Sequence, residues 1–593
     1  MSYLSLFIKS YSKLFHTSLP SKTTMGRTCL SSSTIALLCL VVVTYAPVAA
    51  QVSVHTLPLR TDGRWIVNHN GDRVKLACAN LASHLEPVVT EGLSNQPIGA
   101  IARSILSLGF NCVRLTWPTF LVTNDTLGNT TMRQSFQNLG LDGAVSGVVM
   151  HNPSLINLSL VEAFKAVVAT LGENKLMVIL DNHVSKPGWC CANDDGNGFF
   201  GDKYFDADEW VVGLTRVATI FKGNPWVVGM SLRNELRGSR QNVNDWRRHV
   251  QRGAEAVHSS NPAVLVVVSG LSFDTDLSFL LNRPLNVSYE GKTVFEMHWY
   301  SFTDGQVWVT GNPNQVCGQV VSRVMKASGF LLSQGWPLFV SEFGFDMRGT
   351  NVKDNRYLSC FMGLAAELDV DWALWTLTGS YYLRNGVAGF DETYGVLTRD
   401  WGGTRNSTFV KRVSALQPPF RGPGLGEVHL HQVIFHPATG LCVLRISVFE
   451  PLKLGSCSES DAWNYGIEHK TLTLVGSYFC LQADELGQPA KLGLICTESN
   501  SSWSFISDSK MHLAATLSSE STGCLDVDAN RTIVVNSCSC LNSVNACDPT
   551  YQWFKLVNST RSQITAKAST RVSTQFLSSK FGTAATTEFH GFL

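Results

Sequence analysis

Two glutamates stand where a carboxyl group can do chemistry. Glu235 follows the apolar run Val227 to Leu232 in WVVGMSLRNELRG, and Glu342 lies in FVSEFG. Four further stretches carry polar or aromatic residues at the ends of similar runs: Arg114 in NCVRLTW, His183 closing LMVILDNH, His298 and Tyr300 in FEMHWY, and Trp375 in DWALWTL. Taken singly, a histidine or tyrosine at a strand end only satisfies hydrogen bonds, a lone tryptophan is core, and Glu235 is a helix cap. Jointly they describe acid–base work. One carboxyl keeps a proton to give away while the other stays ionised, and their environments separate the two pKa values. Arg114 beside Glu342 would hold it ionised, and Tyr300 would donate to it. Asn234 would hydrogen-bond a substrate hydroxyl, and Trp375 would offer a flat floor to a ring.

The elements that must bring these residues together alternate. Strand-like runs are expected over Lys75–Asn80, Asn111–Thr116, Lys175–His183, Trp226–Glu235, Ala263–Gly270, Thr293–Tyr300, Pro337–Gly344 and Val370–Leu377. Helical patterns lie between them at Ile98–Leu108, Leu160–Leu171, Trp210–Phe221, Val243–His258, Cys317–Leu332 and Asn355–Glu367. Continuous apolar runs suit strands covered on both faces, and the alternation implies right-handed βαβ units around a parallel sheet. Eight such units predict a closed α/β barrel, the (β/α)₈ TIM barrel, whose C-terminal strand ends carry function. The competing doubly wound sheet normally has a Gly-rich phosphate turn after an early strand, and none is present. Ahead of the first strand, RWIVNHNGDRV reads as a hairpin turning at Asn70-Gly71, bordering or plugging the barrel. Two carboxylates on strands four and seven, flanking a polar cleft, match cleavage of a glycosidic bond.

At 593 residues the chain should hold more than one domain. A formal charge of +1 with 16% charged residues gives no reason to expect a nucleic-acid partner. The 15 tryptophans suit either sugar stacking or core filling. Residues 1–50 read as a signal peptide, with the apolar run Ile35–Val43 and the small residues Ala46–Ala50; Met25 is an alternative start and a retained anchor the competing reading. The expectation is a secreted protein, extracellular or in a cell wall, without a membrane contact after cleavage. Of 16 cysteines, Cys29 and Cys39 fall in this segment, and eight of the others crowd between Cys442 and Cys547. Sequons at Asn124, Asn129, Asn157, Asn286, Asn406, Asn500, Asn530 and Asn558 agree with that compartment. Residues 51–416 form the expected barrel domain, 417–426 a Pro/Gly linker, 427–557 an all-β domain and 558–593 a Ser/Thr-rich disordered tail. Within 427–557 a pattern of Cys, strand, Cys and Trp recurs three times, ending at Trp463, Trp503 and Trp553. Each copy is too small to close its own core, so three would share one. An unrelated disulfide-rich β domain is the alternative.

Across Val52 to Leu416 the ordered set Arg114, His183, Asn234-Glu235, His298-Trp299-Tyr300, Glu342 and Trp375 resembles glycoside hydrolase family 5, the cellulase-like group. The resemblance implies that Glu235 is the general acid/base and Glu342 the nucleophile of a retaining enzyme, with carboxyl groups about 5–5.5 Å apart. It implies a β-linked polysaccharide or oligosaccharide as substrate, as for an endo-β-glucanase or β-mannanase, with no cofactor and no metal. The rivals are a carbohydrate-binding protein with an inactive barrel, and a transglycosylase. Residues 427–557 resemble the ricin B-type β-trefoil lectin. That resemblance implies bridges Cys442–Cys457 and Cys480–Cys496, and Cys524 with either Cys538 or Cys540. The lectin's Gln-x-Trp is eroded, with Asp461, Ser501 and Tyr551 two residues before each Trp. Its sugar-binding Asp survives only as Asp526, against Leu444 and Gln482, so at most one glycan pocket is expected. The loop Gly188–Asp208 should overhang the cleft. Its Asp194, Asp195 and Asn197 lack the spacing of an EF-hand and read as a solvated acidic loop rather than a calcium site. The adjacent Cys190 and Cys191 are expected to bond elsewhere.

Overall fold

The structure, a computed structural model, describes residues 56–426, 429–517, 519–542 and 547–561. The expected signal segment and residues 562–593 lie outside these. Eight parallel strands close a barrel: β1 Ala77–Leu81, β2 Cys112–Pro118, β3 Met177–Val184, β4 Val227–Ser231, β5 Leu265–Val268, β6 Thr293–Tyr300, β7 Leu338–Gly344 and β8 Asp371–Leu374, with β8 pairing β1. Six of the crossovers carry a helix of ten or more residues: α1 Ile98–Ser107, α2 Leu160–Glu173, α3 Ala207–Ile220, α4 Val243–Ser260, α5 Pro313–Val324 and α6 Val352–Leu368. Between β5 and β6 there is only the 3₁₀ turn Ser278–Leu280. No helix among the described residues is long and apolar enough to cross a membrane.

The two faces of each strand divide the core. Outward residues such as Val113, Leu115 and Leu180 join the helices in one large apolar shell. Inward residues Cys78, Cys112, Met177, Ile179, Val294 and Phe339 fill the lower barrel, and Leu59, Ile66, Val74 and Leu76 plug its base. The plug hairpin pairs Arg60–Asp62 with Trp65–Val67, so it turns at Gly63-Arg64 rather than at Asn70-Gly71. The Asn70-Gly71 stretch is a separate turn, in which the Asn68 side chain accepts from the backbone of Asn70 and Asp72, both at 2.9 Å. The tryptophans serve mainly as core: Trp117, Trp210, Trp246, Trp308 and Trp372 are fully buried. Trp210 and Trp246 donate to Leu232 O at 2.9 Å and Ser269 O at 3.0 Å, tying α3 and α4 to the loops that leave β4 and β5.

After the helix Ser407–Ser414 the chain becomes mostly antiparallel β-structure, in an eight-stranded sheet and a four-stranded sheet. Its last strand, Lys555–Ser559, pairs with its first, His431–His436. Trp463, Trp503 and Trp553 are each fully buried at corresponding points of the three sequence repeats. Cys442–Cys457 and Cys480–Cys496 are bonded, and Cys524 pairs with Cys538. Cys540 is therefore not its partner; it bonds to Cys547 instead. In the barrel Cys78–Cys112 links the paired strands β1 and β2, and Cys317–Cys360 links α5 to α6.

The β-region shares a core with the barrel helices, since Val433, Phe435, Met511 and Trp553 belong to the same apolar cluster as α6. Asn314 on α5 accepts from the Trp553 indole at 2.8 Å and from Ser509 Oγ at 2.9 Å. Asn314→Ala should leave that buried indole N–H without its acceptor, at a cost of about 1–3 kcal/mol. The expected result is a lower urea midpoint for the β-region, followed by Trp fluorescence, and an unchanged midpoint would show that this bond does not hold the contact.

Candidate active site

A strand alternates its side chains between two faces. On β2 the inward set that begins at Cys112 continues with Arg114 and Thr116. On β3 it runs Met177, Ile179, Asp181, His183, and on β6 Val294, Glu296, His298, Tyr300. Each strand is thus apolar in the lower barrel and polar at its C-terminal end. Glu342 breaks this rule, because Phe339 and Ser341 would aim it outward. A bulge corrects it: the register moves from Met297↔Val340 to His298↔Glu342, which inserts one extra residue into β7 and turns Glu342 into the barrel. Glu235 arrives differently. β4 ends at Ser231, earlier than expected, and Glu235 sits in the turn beyond with a left-handed φ of +41°. For a residue with a side chain this costs on the order of 1–3 kcal/mol. Arg237 stabilises the turn by donating to Glu235 O at 2.7 Å while pairing with Asp195 at 2.6 Å.

The sequence-predicted residues of the barrel converge on one place. Arg114, fully buried, donates to Glu342 at 2.8 Å, Asn234 Oδ1 at 2.9 Å and Asn80 Oδ1 at 3.1 Å, and pairs with Asp181 at 3.0 Å. Tyr300 donates to the other Glu342 oxygen at 2.9 Å. His298 Nδ1 lies 2.8 Å from Glu235 and 3.7 Å from Glu342. One carboxylate oxygen of each glutamate and a His298 ring nitrogen lie within 4.8 Å of one another. His183 Nδ1 is 2.6 Å from Asp181, which leaves Nε2 as an acceptor 3.4 Å from Asn234 Nδ2. Trp375 stacks on His183 with ring centroids 5.6 Å apart.

Burial and partners separate the two glutamates. Burial pushes Glu235 up to about 7, against the pull of Arg237 and Arg114. Burial also pushes Glu342 up, while the Arg114 guanidinium pulls it back. Glu342 accepts two strong hydrogen bonds, from a guanidinium and a phenol, and Glu235 has His298 alone. A single proton on the pair therefore resides on Glu235. Burial holds His183 and His298 below the ordinary histidine range, so both are neutral near pH 7.

Several contributors were not singled out in the sequence. Asp181 and Glu296 lie two residues before His183 and His298, so the same alternation that turns the histidines inward marks them. Asp274 sits 3.6 Å from His298 Nε2, at the end of the left-handed run Ser272–Asp274, for which the sequence holds no signal. Phe302 stacks on Tyr300 at 4.6 Å and is largely exposed, an aromatic surface beside the site. The loop over the cleft is not a solvated acidic loop. Asp195 binds buried Arg237, Asn197 accepts from the backbone of Ser185 and Lys186, and Asp202 from that of Gly198 and Phe199, whereas Asp194 and, at the far end of the loop, Asp206 and Asp208 are exposed. Cys190 and Cys191 bond to each other rather than elsewhere.

Asp526 lies apart, in the β-region. Its Oδ2 accepts from Asn536 and Gln552, both at 3.0 Å. Gln552, directly before Trp553, is the glutamine that the sequence motif sought one position earlier. In the other two repeats Arg445 pairs with Asp461 at 2.9 Å, and Gln482 bonds to Ser501 at 3.0 Å.

A closed parallel barrel with two carboxyl groups facing each other at its C-terminal mouth is the arrangement of the barrel glycoside hydrolases. The profile of the Cellulase (glycosyl hydrolase family 5) family matches residues 68–380. A glycosyl hydrolase 5 family protein from Chamaecyparis obtusa is 46% identical over 525 residues, 86% of this chain and 94% of its own length. An endoglucanase from Paenibacillus polymyxa is 24% identical over 377 residues, 60% of this chain and 86% of its own. The structure of an endocellulase from Pyrococcus horikoshii in complex with cellotetraose matches with a TM-score of 0.50 at 18% identity, covering 61% of this chain and 99% of that one; this likeness speaks for the fold. The chain belongs to glycosyl hydrolase family 5.

Infrared difference titration should detect one carboxyl group protonating at about 7 that is missing from Glu235→Gln. A spectrum in which no carboxyl titrates above the ordinary acid range would contradict the proton assignment.

Proposed function

We propose that the protein is a secreted, retaining β-glycoside hydrolase that cuts a β-linked glucan within the chain, by double displacement. The observation that carries this is the unequal bonding of two adjacent carboxyl groups. Glu342, held by Arg114 and Tyr300, is the nucleophile; Glu235, on His298 and near pKa 7, is the acid. Oxygens within 4.8 Å of each other favour the close spacing of retaining enzymes, about 5–5.5 Å between carboxyl groups, over the wider inverting gap that must admit a water.

In the first step a Glu342 oxygen attacks the anomeric carbon as Glu235 gives its proton to the departing glycosidic oxygen. This forms a glycosyl ester on Glu342 and frees the remainder of the chain. In the second step Glu235, now a carboxylate, takes a proton from water. The hydroxide oxygen bonds to the anomeric carbon, the Glu342 ester breaks, and the starting protonation returns. Asn234 positions the ring through a hydroxyl, and Trp375 supports its apolar face. The names endoglucanase and endocellulase among the similar proteins support a β-1,4-glucan. We further propose that the β-region is a trefoil-type appendage with one glycan pocket at Asp526, where Asn536 and Gln552 orient the carboxylate. Secretion is part of the proposal and rests on the N-terminal sequence and the seven disulfides.

Glu342→Gln should lower kcat on cellotetraose by about 10³-fold or more, with unchanged circular dichroism; retained turnover on a panel of β-glucans would refute the assignment. Glu235→Ala should slow substrates with poor leaving groups far more than aryl glycosides with good ones, and equal losses would remove its role as acid. The proton on Glu235 is needed for the first step. Hence kcat/KM should fall as pH rises through about 7, while an acid limb, from protonation of Glu342, lies above the ordinary carboxylate range.

A further inference from the structure

The Cys190–Cys191 bridge does not lie at the surface of the loop. Both sulfurs approach Asn234 Nδ2, each at 3.7 Å. Ligand atoms of His183, Cys190 and Cys191 lie within 4.8 Å of one another. Because His183 stacks on Trp375, the order Trp375, His183, disulfide, Asn234 forms one continuous wall that ends at the residue before Glu235. Cys190 is buried and Cys191 half-buried.

The loop is built to hold the bridge there. Upstream, Trp189 meets Tyr381 edge to face at 5.4 Å, and Arg384 covers the Trp189 ring at 3.5 Å. Downstream, Arg237 binds Ala192 O at 3.0 Å and Asp195, so the segment after the bridge is fixed by the same guanidinium that holds the Glu235 turn. A cross-link needed only to close this loop would have no reason to face the catalytic amide.

Its chemistry suits a ligand contact. Asn234 is fixed through its oxygen by Arg114, while its N–H groups meet a histidine nitrogen at a long 3.4 Å and the two sulfurs at 3.7 Å. A hydroxyl group entering the site is a better acceptor than either sulfur. The sulfurs themselves are apolar, polarisable and without donors, like the C–H face of a pyranose. We propose that the Cys190–Cys191 disulfide is a substrate-contact surface: the apolar wall of the subsite that holds the glycosyl unit being transferred, packed against that unit's C–H face while Asn234 takes one of its hydroxyls. This rests on the glycosidase reading above and adds a specificity element to it.

The test uses Glu342→Gln, which binds without turning over, and cellotetraose as probe. Binding is first measured by calorimetry. The intact chain is then treated with a phosphine reductant, trapped with iodoacetamide and mapped by mass spectrometry. Saturating cellotetraose should slow alkylation of Cys190 and Cys191 about tenfold, with the Cys480–Cys496 bridge unaffected. Equal rates with bound cellotetraose overturn the inference and leave the glycosidase reading standing; no binding of cellotetraose overturns the inference together with the glucan assignment. In Cys190→Ser/Cys191→Ser, KM for cellotetraose should rise about tenfold with a smaller change in kcat. Unchanged constants in the folded variant overturn the inference. If the double variant does not fold, the protection experiment, made on native cysteines, decides.

Discussion

One buried cation organises the upper half of the barrel. Arg114 has no solvent contact, and an unpaired guanidinium there would be prohibitively costly. It is tolerated because Asp181, Glu296 and Glu342 surround it and Asn80 and Asn234 accept from its two terminal nitrogens, while Nε has no acceptor. These partners come from β1, β3, β4's exit, β6 and β7, so Arg114 fixes most of the strand ends relative to one another. A buried pair of this kind contributes little net stability, since desolvation offsets attraction. What it supplies is position: Asn234 and Glu342 are oriented by two nitrogens of one rigid planar group.

The architecture was legible because a parallel barrel writes itself as apolar runs with polar ends. β6 occupies the expected Thr293–Tyr300, and the gap without a helical pattern before it corresponds to a crossover with only a 3₁₀ turn. The site was legible where alternation rules, as at Arg114, His183 and His298. It was not legible where the backbone departs from regularity. The bulge that aims Glu342 and the left-handed turn that carries Glu235 leave no pattern in residue types, since both depend on the register of neighbouring strands. The short helices Met132–Asn138 and Asp142–His151 were also missed, although Thr131 and Gln134 form a capping box ahead of the first. Disulfide partners followed the same division. Those in the β-repeats came from a family pattern, whereas Cys190–Cys191 depends on a loop whose path only tertiary contacts fix.

The β-region is attached in a way that matters for how the two parts act. Its contact is not a flexible tether: Asn312 on the α5 approach donates to Cys540 O and Asn542 O, Arg356 on α6 to Cys547 O, and Lys555 pairs with Glu367. Arg561, beyond the last strand, donates to Pro418 O and Pro419 O and lies 4.2 Å over Phe420. The Pro/Gly stretch thus serves as a docking strip between the final strand and the barrel. The β-region is thus carried on a packed contact with the barrel helices rather than on a swinging arm.

The charge balance beneath the glutamates explains why one proton can stay near neutral pH. Glu235, Glu342, Asp181, Glu296 and Asp274 face Arg114 and a neutral His298 in a nearly dry space. Even counting Arg237 and Arg233, which act on Glu235 and Asp181, that interior does not support five negative charges against three fixed positive ones. Burial and Glu296 beside it push Asp274 well above its ordinary value, and Glu296 is raised as well, chiefly by burial. Asp274 lies 3.6 Å from His298 Nε2, too far for a hydrogen bond, and neither atom has another partner. His298 Nδ1, 2.8 Å from Glu235, is placed to donate to one of its oxygens, which leaves the other to carry the proton.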